Sequence, residues 1–408
     1  MVVKKGAYRV KRYKKLVLAI SVIGLCHISN PILSPVEPVY AKTSQRAIKQ
    51  AKAKVNATKK RLTSQKKYLA KTKKAHAQAT KDLQKAKQEQ AKLQSIYNKE
   101  KVNIQKKANE GIPQAKAVYD KALAKYNEGS AGFFKYMESN GEAEATRAIQ
   151  VVNEKSTSMQ SDPTIELYKL INPKDKNNPT NLDNMKKAID ELNKVNEYRA
   201  KENKGLKDLK VNSYLMAVSQ AQLCYSKDVI GHSQSYNVGE NVAWWYKNPF
   251  DGWYDEEKAE YKKGETDPFK IGHYLNIIDD TYNTTGYSYT PKGKDYPNVY
   301  GQVFSRAEDG YTVKEYQKLF NNYYNPVVKD KTTSEKKYKD LLNRKSHPEK
   351  YISKTTNTKL ANAKKKTAKA QSKLNQINKK YKKEKATVNK TQKTYNTLVK
   401  KLKKMQRK

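Results

Sequence analysis

Residues 232–246 read HSQSYNVGENVAWWY, residues 249–258 read PFDGWYDEEK, residues 272–274 read GHY and residues 300–304 read YGQVF. The chain has five histidines among 408 residues, and two of them, His232 and His273, fall in this series. Each follows a glycine, and glutamates lie between them at positions 240, 256 and 257. Two imidazoles interleaved with carboxylates are the makings of a small polar cavity. No other part of the sequence points to site chemistry in this way.

The surrounding pattern is that of a mixed helix and strand domain. Leu182, Met185, Ile189, Leu192 and Val195 mark one face of a helix that closes on Asn196-x-x-Arg199. Further helices are predicted over 213–229, 250–262, 268–278 and 313–322. Strands are predicted over 286–289 and 298–305, where β-branched and aromatic residues gather. The stretch 232–246 reads as irregular, and 205–209 as a turn. About 145 residues of such structure make one ordinary domain.

Taken in order, Asn196-x-x-Arg199, His232, Gly239-Glu240-Asn241, Trp253-x-x-Glu256, Gly272-His273-Tyr274 and the Tyr-x-x-Val-Phe strand resemble the CAP superfamily. That superfamily comprises cysteine-rich secretory, antigen-five and pathogenesis-related proteins. Gly129-Ser130, Gly132-Phe133-Phe134 and the run 249–258 resemble its bacterial surface-exclusion (PgrA-like) branch in Gram-positive bacteria. The resemblance implies an α+β fold, an α-β-α sandwich with a small antiparallel sheet between helices. It also implies a cavity of two histidines and two acids, here His232, Glu240, Glu256 and His273. Glu256 lies three residues after Trp253 as the family pattern asks, with Glu257 as the alternative in the next helix register. His232 and His273 would then ligate a divalent metal such as zinc, leaving positions open for water or substrate. Glu240 and Glu256 would orient the imidazoles or act as bases toward a metal-bound water. Relatives held by disulfides differ from this chain, whose cysteines are Cys26 and Cys224 alone. Cys224 fits a buried small apolar role on its helix.

The net charge of +44 is concentrated outside this domain. Residues 42–110 hold 21 basic and 4 acidic side chains, and residues 351–408 hold 20 and 1, whereas residues 111–350 carry only +2. Ile48, Val55, Leu62, Leu69, His76, Leu83, Gln90, Tyr97 and Ile104 recur every seven residues, as do Leu360, Thr367, Leu374, Tyr381, Val388, Tyr395 and Leu402. Such a repeat puts an apolar stripe on a long helix and favours coiled-coil pairing. Lysines dominate the flanks, where glutamates would form interhelical pairs, so the two arms repel one another at low salt. Gly111-Ile112-Pro113 predicts a break, followed by a helical hairpin. The Pro-, Asn- and Asp-rich stretch 172–184 reads as a boundary.

Residues 1–41 have the layout of a secretory signal peptide: a basic start, an apolar run over 16–28, and a small residue at Ala41. The run is short for a membrane span, and no other approaches 18 residues. The chain thus divides into a signal peptide (1–41), a basic coiled-coil arm (42–110), a helical hairpin and linker (111–180), a CAP domain (181–327), a linker (328–350) and a second basic arm (351–408).

No His-Glu-x-x-His helix, Gly-x-Ser-x-Gly turn or reactive Cys–His pair is visible, so a non-enzymatic surface protein is the expected class. No Leu-Pro-x-Thr-Gly sorting signal is seen, so retention is expected through anionic cell-wall polymers bound by the arms. The arms also offer pairing with another copy or another coiled-coil chain. Nucleic acid is not the expected partner, because the charge comes with a secretory start and no recognised binding fold. Surface exclusion of conjugative transfer is implied by the resemblance, and adhesion fits the residues equally. A metal-dependent hydrolase and a lipid-binding CAP protein are the rival readings.

Overall fold

The computed structural model describes residues 38–153, 160, 161, 164–202 and 204–407. The expected signal peptide, with Cys26 and His27, lies outside them apart from residues 38–41. The described residues divide into two compact units, one of those up to Glu89 together with those from Ala363 on, the other of those between Gln90 and Asn362. No helix among the described residues is long and apolar enough to cross a membrane.

The first unit is built from two long helices, α1 (Pro38–Tyr126) and α10 (Lys354–Gln406). Among the apolar residues withdrawn from solvent are Leu62, Ala79, Leu83 and Ala86 on α1 and Ala363, Leu374 and Val388 on α10; of these Leu62, Leu83, Leu374 and Val388 belong to the seven-residue series. Ala79 and Leu83 pack with Leu374, flanked by Ala370 and Ile377. His76 faces Tyr381 with ring centres 6.0 Å apart, and Lys366 reaches Glu89 at 2.7 Å, so the helices run antiparallel there. His76 is therefore a polar member of the apolar stripe.

Within the second unit, α1 continues through Gly111-Ile112-Pro113, where the sequence predicts a break. An interior proline removes one helical hydrogen bond and crowds the preceding turn. Packing outweighs that cost here. A Cβ at Gly111 would stand 3.3 Å from Leu341 Cδ1 of α9 (Val313–Ser346), and Ala108 and Ala115 on the same face are buried. Tyr119 stacks on Tyr338 with ring centres 5.9 Å apart. The expected linker at 328–350 is correspondingly helical: α9 runs to Ser346, and a 3-10 turn covers Pro348–Tyr351.

After α1 come α2 (Ser130–Ser139) and α3 (Ala143–Asn153). Gly129, at φ 57°, allows the entry, since a Cβ there would lie 2.3 Å from the Thr180 carbonyl oxygen. Phe133 and Phe134 are wholly buried, and Phe133 meets Phe320 and Tyr316 of α9 edge-on. The stretch expected as a boundary is a loop, exposed at Asn172, Lys174 and Lys176 and buried from Asn178 to Asn181, that leads into α4 (Leu182–Glu191) and is held by its own side chains. Asn178 Nδ2 donates to the Leu170 carbonyl, Asn178 Oδ1 accepts from Thr180 N–H, and Asn184 Nδ2 donates to the Lys176 carbonyl.

The remaining elements are α4 (Leu182–Glu191), α5 (Lys194–Ala200), β1 (Lys210–Val211), α6 (Ser213–Ser226), β2 (Gly239–Ala243), a π-helix (Asp251–Glu256), α7 (Glu257–Lys262), α8 (Pro268–Ile278), β3 (Thr284–Lys292) and β4 (Pro297–Ser305). The four strands form one sheet in the order β1-β3-β4-β2. It is mixed, not wholly antiparallel as expected, because β1 joins β3 in parallel. The backbone of α6 rests directly on β3: a Cβ on Gly286 would come within 2.2 Å of the Leu215 carbonyl. Ser219 Oγ bonds Ser288 Oγ at 2.8 Å across this contact. Helices α4 and α8 pack on the sheet, and α3 lies on α6, which gives the expected α+β layering of helices about a small sheet. Cys224 is buried on α6 beside Asn178, and burial pushes its thiol up to about 12.

Candidate functional site

Glu240 stands on β2 opposite Val303 of β4. His232 lies in the loop after α6, and Gln222 pins that loop: its Oε1 accepts from Ser233 Oγ at 3.0 Å and from Tyr236 N–H at 3.4 Å. The His232 Nδ1 atom is then 2.7 Å from Glu240 Oε2.

His273 is carried by α8, which is kinked at Ile271 (φ −129°, ψ 18°). The kink starts a new helical segment whose first N–H groups lack intrahelical acceptors. Glu257 supplies one: its Oε2 accepts from Tyr274 N–H at 2.9 Å, while its Oε1 lies 2.5 Å from His273 Nδ1. A carboxylate at that helix start is also favoured by the helix dipole. Asn241 ties the two halves together, donating to the His273 carbonyl at 3.1 Å and accepting from Asn276 Nδ2 at 2.9 Å. The Gly-Glu-Asn sequence thus contributes one site carboxylate and one buried clip.

Of the two glutamates left open, Glu256 and Glu257, it is Glu257 that contacts His273. Glu256 is exposed and accepts from Tyr246 Oη at 3.1 Å. The reason is the π-helix over 251–256, whose wider turn of about 4.4 residues brings position i+4, not i+3, back under Trp253. The rings of Trp253 and His273 lie 6.3 Å apart, and Glu257 reaches the same imidazole.

The structure thus brings His232, Glu240 and His273 to one cleft of about 760 Å³, with Gln222 and Asn276 also in its wall. The imidazole centres are 6.4 Å apart. Toward a carboxylate Nδ1 is the donor, which leaves each Nε2 as the nitrogen able to bind a metal or a proton. The Glu240 bond raises the His232 pKa above its ordinary value, and partial burial opposes that shift. In kind these groups suit a metal, since each ligand imidazole would be backed by a carboxylate. In spacing they do not yet suit one ion. With Zn–N near 2.1 Å, two imidazoles on a tetrahedral ion have centres about 5.2 Å apart, so the rings would have to close by about 1 Å. Among the described residues no group of three or more His, Cys, Asp or Glu side chains is arranged to hold a metal.

The other motif residues hold the cleft's walls. Asn196 clips the Leu209 backbone at 2.8 and 3.1 Å. Arg199, wholly buried, donates to the Lys207, Ile277 and Asp279 carbonyls, so it caps the end of α8. Burial lowers the Arg199 pKa. Sequence reasoning missed Glu202, whose carboxylate accepts from Tyr254, Tyr274 and Lys258 and joins α7 to α8. It missed Gln222 as well, although a glutamine in an otherwise buried helix was a usable signal.

Residues 192–305 match the model of the CAP family, the cysteine-rich secretory protein family. No curated protein matches the chain.

Proposed function

We propose that the CAP domain at residues 192–305 belongs to a secreted, non-enzymatic surface protein of the surface-exclusion (PgrA-like) branch, held on anionic wall polymers by its lysine-rich helices. The observation that carries the reading is the division of charge. The segments 42–110 and 351–408 hold +36 of the net +44, and residues 111–350 hold +2. A site that had to attract an anionic substrate would gain from charge near itself. Here the charge lies on helices that serve retention. Their buried heptad residues and the Glu89–Lys366 pair support coiled-coil pairing of α1 with α10 in the first unit.

The test is binding of the full-length chain to purified Gram-positive cell walls across a salt series. Neutralising six or more phosphates should weaken binding by about 10³-fold between 50 and 200 mM salt. Retention in molar salt would refute an electrostatic anchor. Limiting conjugative transfer, or adhesion, is the role such display would serve.

A second reading is favoured by the paired His–Glu contacts: the cleft takes up a divalent metal on the two Nε2 atoms. Bound there, an ion would supply Lewis acidity, while Glu240 and Glu257 would hold the rings in their ligating tautomer. Metal content of the full-length protein, compared with its His232→Ala/His273→Ala variant, decides this. Equal content in the two would end the metal reading. A hydrolase would further need zinc-dependent turnover that Glu240→Gln and His273→Ala abolish.

A further inference from the structure

All three tryptophans of the chain line one cleft. Trp244, Trp245 and Trp253, with Tyr246, Glu256 and Glu260, bound a space of about 660 Å³ beside the His–Glu site. Nothing in the site described above uses Trp245. It is 54% exposed, stacks near-parallel with Tyr246 (18° between planes) and meets Tyr296 at 4.9 Å. Its backbone sits at φ 60°. A bulky residue in the left-handed region is an outlier that the surroundings must impose, and such outliers gather at functional positions. A large aromatic held in a strained conformation and left half in water is not explained by core packing.

The polar groups narrow the ligand. Glu256, fixed by Tyr246 Oη, and the exposed Glu260 offer acceptors at the wall. Trp244 Nε1 is satisfied by the Ser226 carbonyl at 2.8 Å. Trp253, on the floor, is almost wholly buried with its indole N–H, so it offers the cleft apolar surface and no reachable donor. The donor in the wall is Lys270, whose Nζ reaches Glu265 at 2.8 Å and has further N–H groups to give. The cleft therefore asks for a molecule with a flat apolar face for the Trp245–Tyr246 plates, hydroxyls that donate to carboxylates, and an acceptor group. An organic cation would suit the rings and the acids, but it meets the like charge of Lys270 and brings no acceptor for that ammonium. A sugar ring meets all three requirements, with axial C–H groups on one face and an N-acetyl carbonyl or ring oxygen as acceptor.

We propose that this aromatic cleft is a carbohydrate-binding site for an N-acetylhexosamine-containing glycan, distinct in mechanism from charge-based binding by the lysine-rich helices.

The experiment is calorimetric titration of the full-length chain with chitotriose, in about 0.5 M NaCl so that the lysine-rich helices are screened. Saturation-transfer NMR on the sugar runs in parallel. Saturable binding is expected, with transfer to the ring protons of the sugar. Trp245→Ala should weaken it about tenfold or more, Trp245→Phe should retain most of it, and Glu256→Gln should weaken it measurably. Trp245 is exposed, so unchanged circular dichroism will separate loss of the ligand from loss of the fold. The proposal is overturned by absence of saturable chitotriose binding, by affinity unmoved in Trp245→Ala, or by tighter binding of choline, which would make the cleft a cation site. Because the salt is high, a failed wall anchor leaves this result unaffected.

Discussion

At the scale of single residues, two neighbouring glutamates have opposite environments. Glu257 holds an imidazole and a helix-start N–H, whereas Glu256 meets a tyrosine hydroxyl at the surface. Glu257→Ala should therefore destabilise the protein by about 1–3 kcal/mol, because it strands the Tyr274 N–H and the His273 Nδ1. Glu256→Ala should stay within about 0.5 kcal/mol. Urea denaturation of the two variants compares them directly; equal losses would mean that the helix register is not as described. For His232 the prediction concerns pH. Its folded pKa is raised above 6.5 by Glu240, so its contribution to stability is complete below 6.5 and fades as pH rises through the folded value. NMR titration should show the His232 ring changing charge above pH 6.5, and Glu240→Gln should bring the midpoint down. A midpoint unmoved by Glu240→Gln would remove the contact from the account.

At the scale of elements, what could be read from the sequence depended on whether the cause was local. Helix α8 starts at Pro268 and ends at Ile278, as its pattern predicts, since Asp267 caps it and proline suits its first turn. Strand β2 falls in the stretch that reads as irregular; it is a strand because its backbone pairs with β4 from Gly239–Phe304 to Ala243–Tyr300, while Asn241 is clipped to α8. The site histidines and Glu240 were legible from their order in the chain. The choice of Glu257 was not, because it follows from a π-turn that no residue type announces. The helix through Pro113 is another tertiary effect, and it can be tested. Pro113→Ala restores a backbone donor in a seated helix and should stabilise the protein by up to about 3 kcal/mol. Gly111→Leu should lower the melting midpoint, since its side chain would press on Leu341. A fall with Pro113→Ala would show instead that the ring itself fills a place in the packing.

At the scale of the whole molecule, the balance to explain is between a narrow apolar stripe and a dense positive charge. In the first unit the stripe of α1 and α10 is thin: Leu83 and Leu374 are joined by alanines, with polar His76 facing Tyr381. Alanine buries little apolar area, so each heptad contributes little, while lysines along both helices repel across the contact. Glu89 meets Lys366 across it, but exposed pairs of that kind are worth about 0–1 kcal/mol. Folding of these helices should therefore be more sensitive to ions than folding of the nearly neutral 111–350 segment. Raising chloride from about 10 mM to about 500 mM shortens the screening length from about 30 Å to under 5 Å, and should raise the melting midpoint of the helical signal at 222 nm. Inorganic polyphosphate at the same ionic strength should raise it further, because a polyanion binds the folded, charge-dense helices and stabilises them by mass action. The near-ultraviolet signal of the tryptophans, all in the other unit, supplies the internal control and should shift far less. If both signals moved together, or neither did, charge would not be what limits the arms, and an anchor made of them would need a different physical basis.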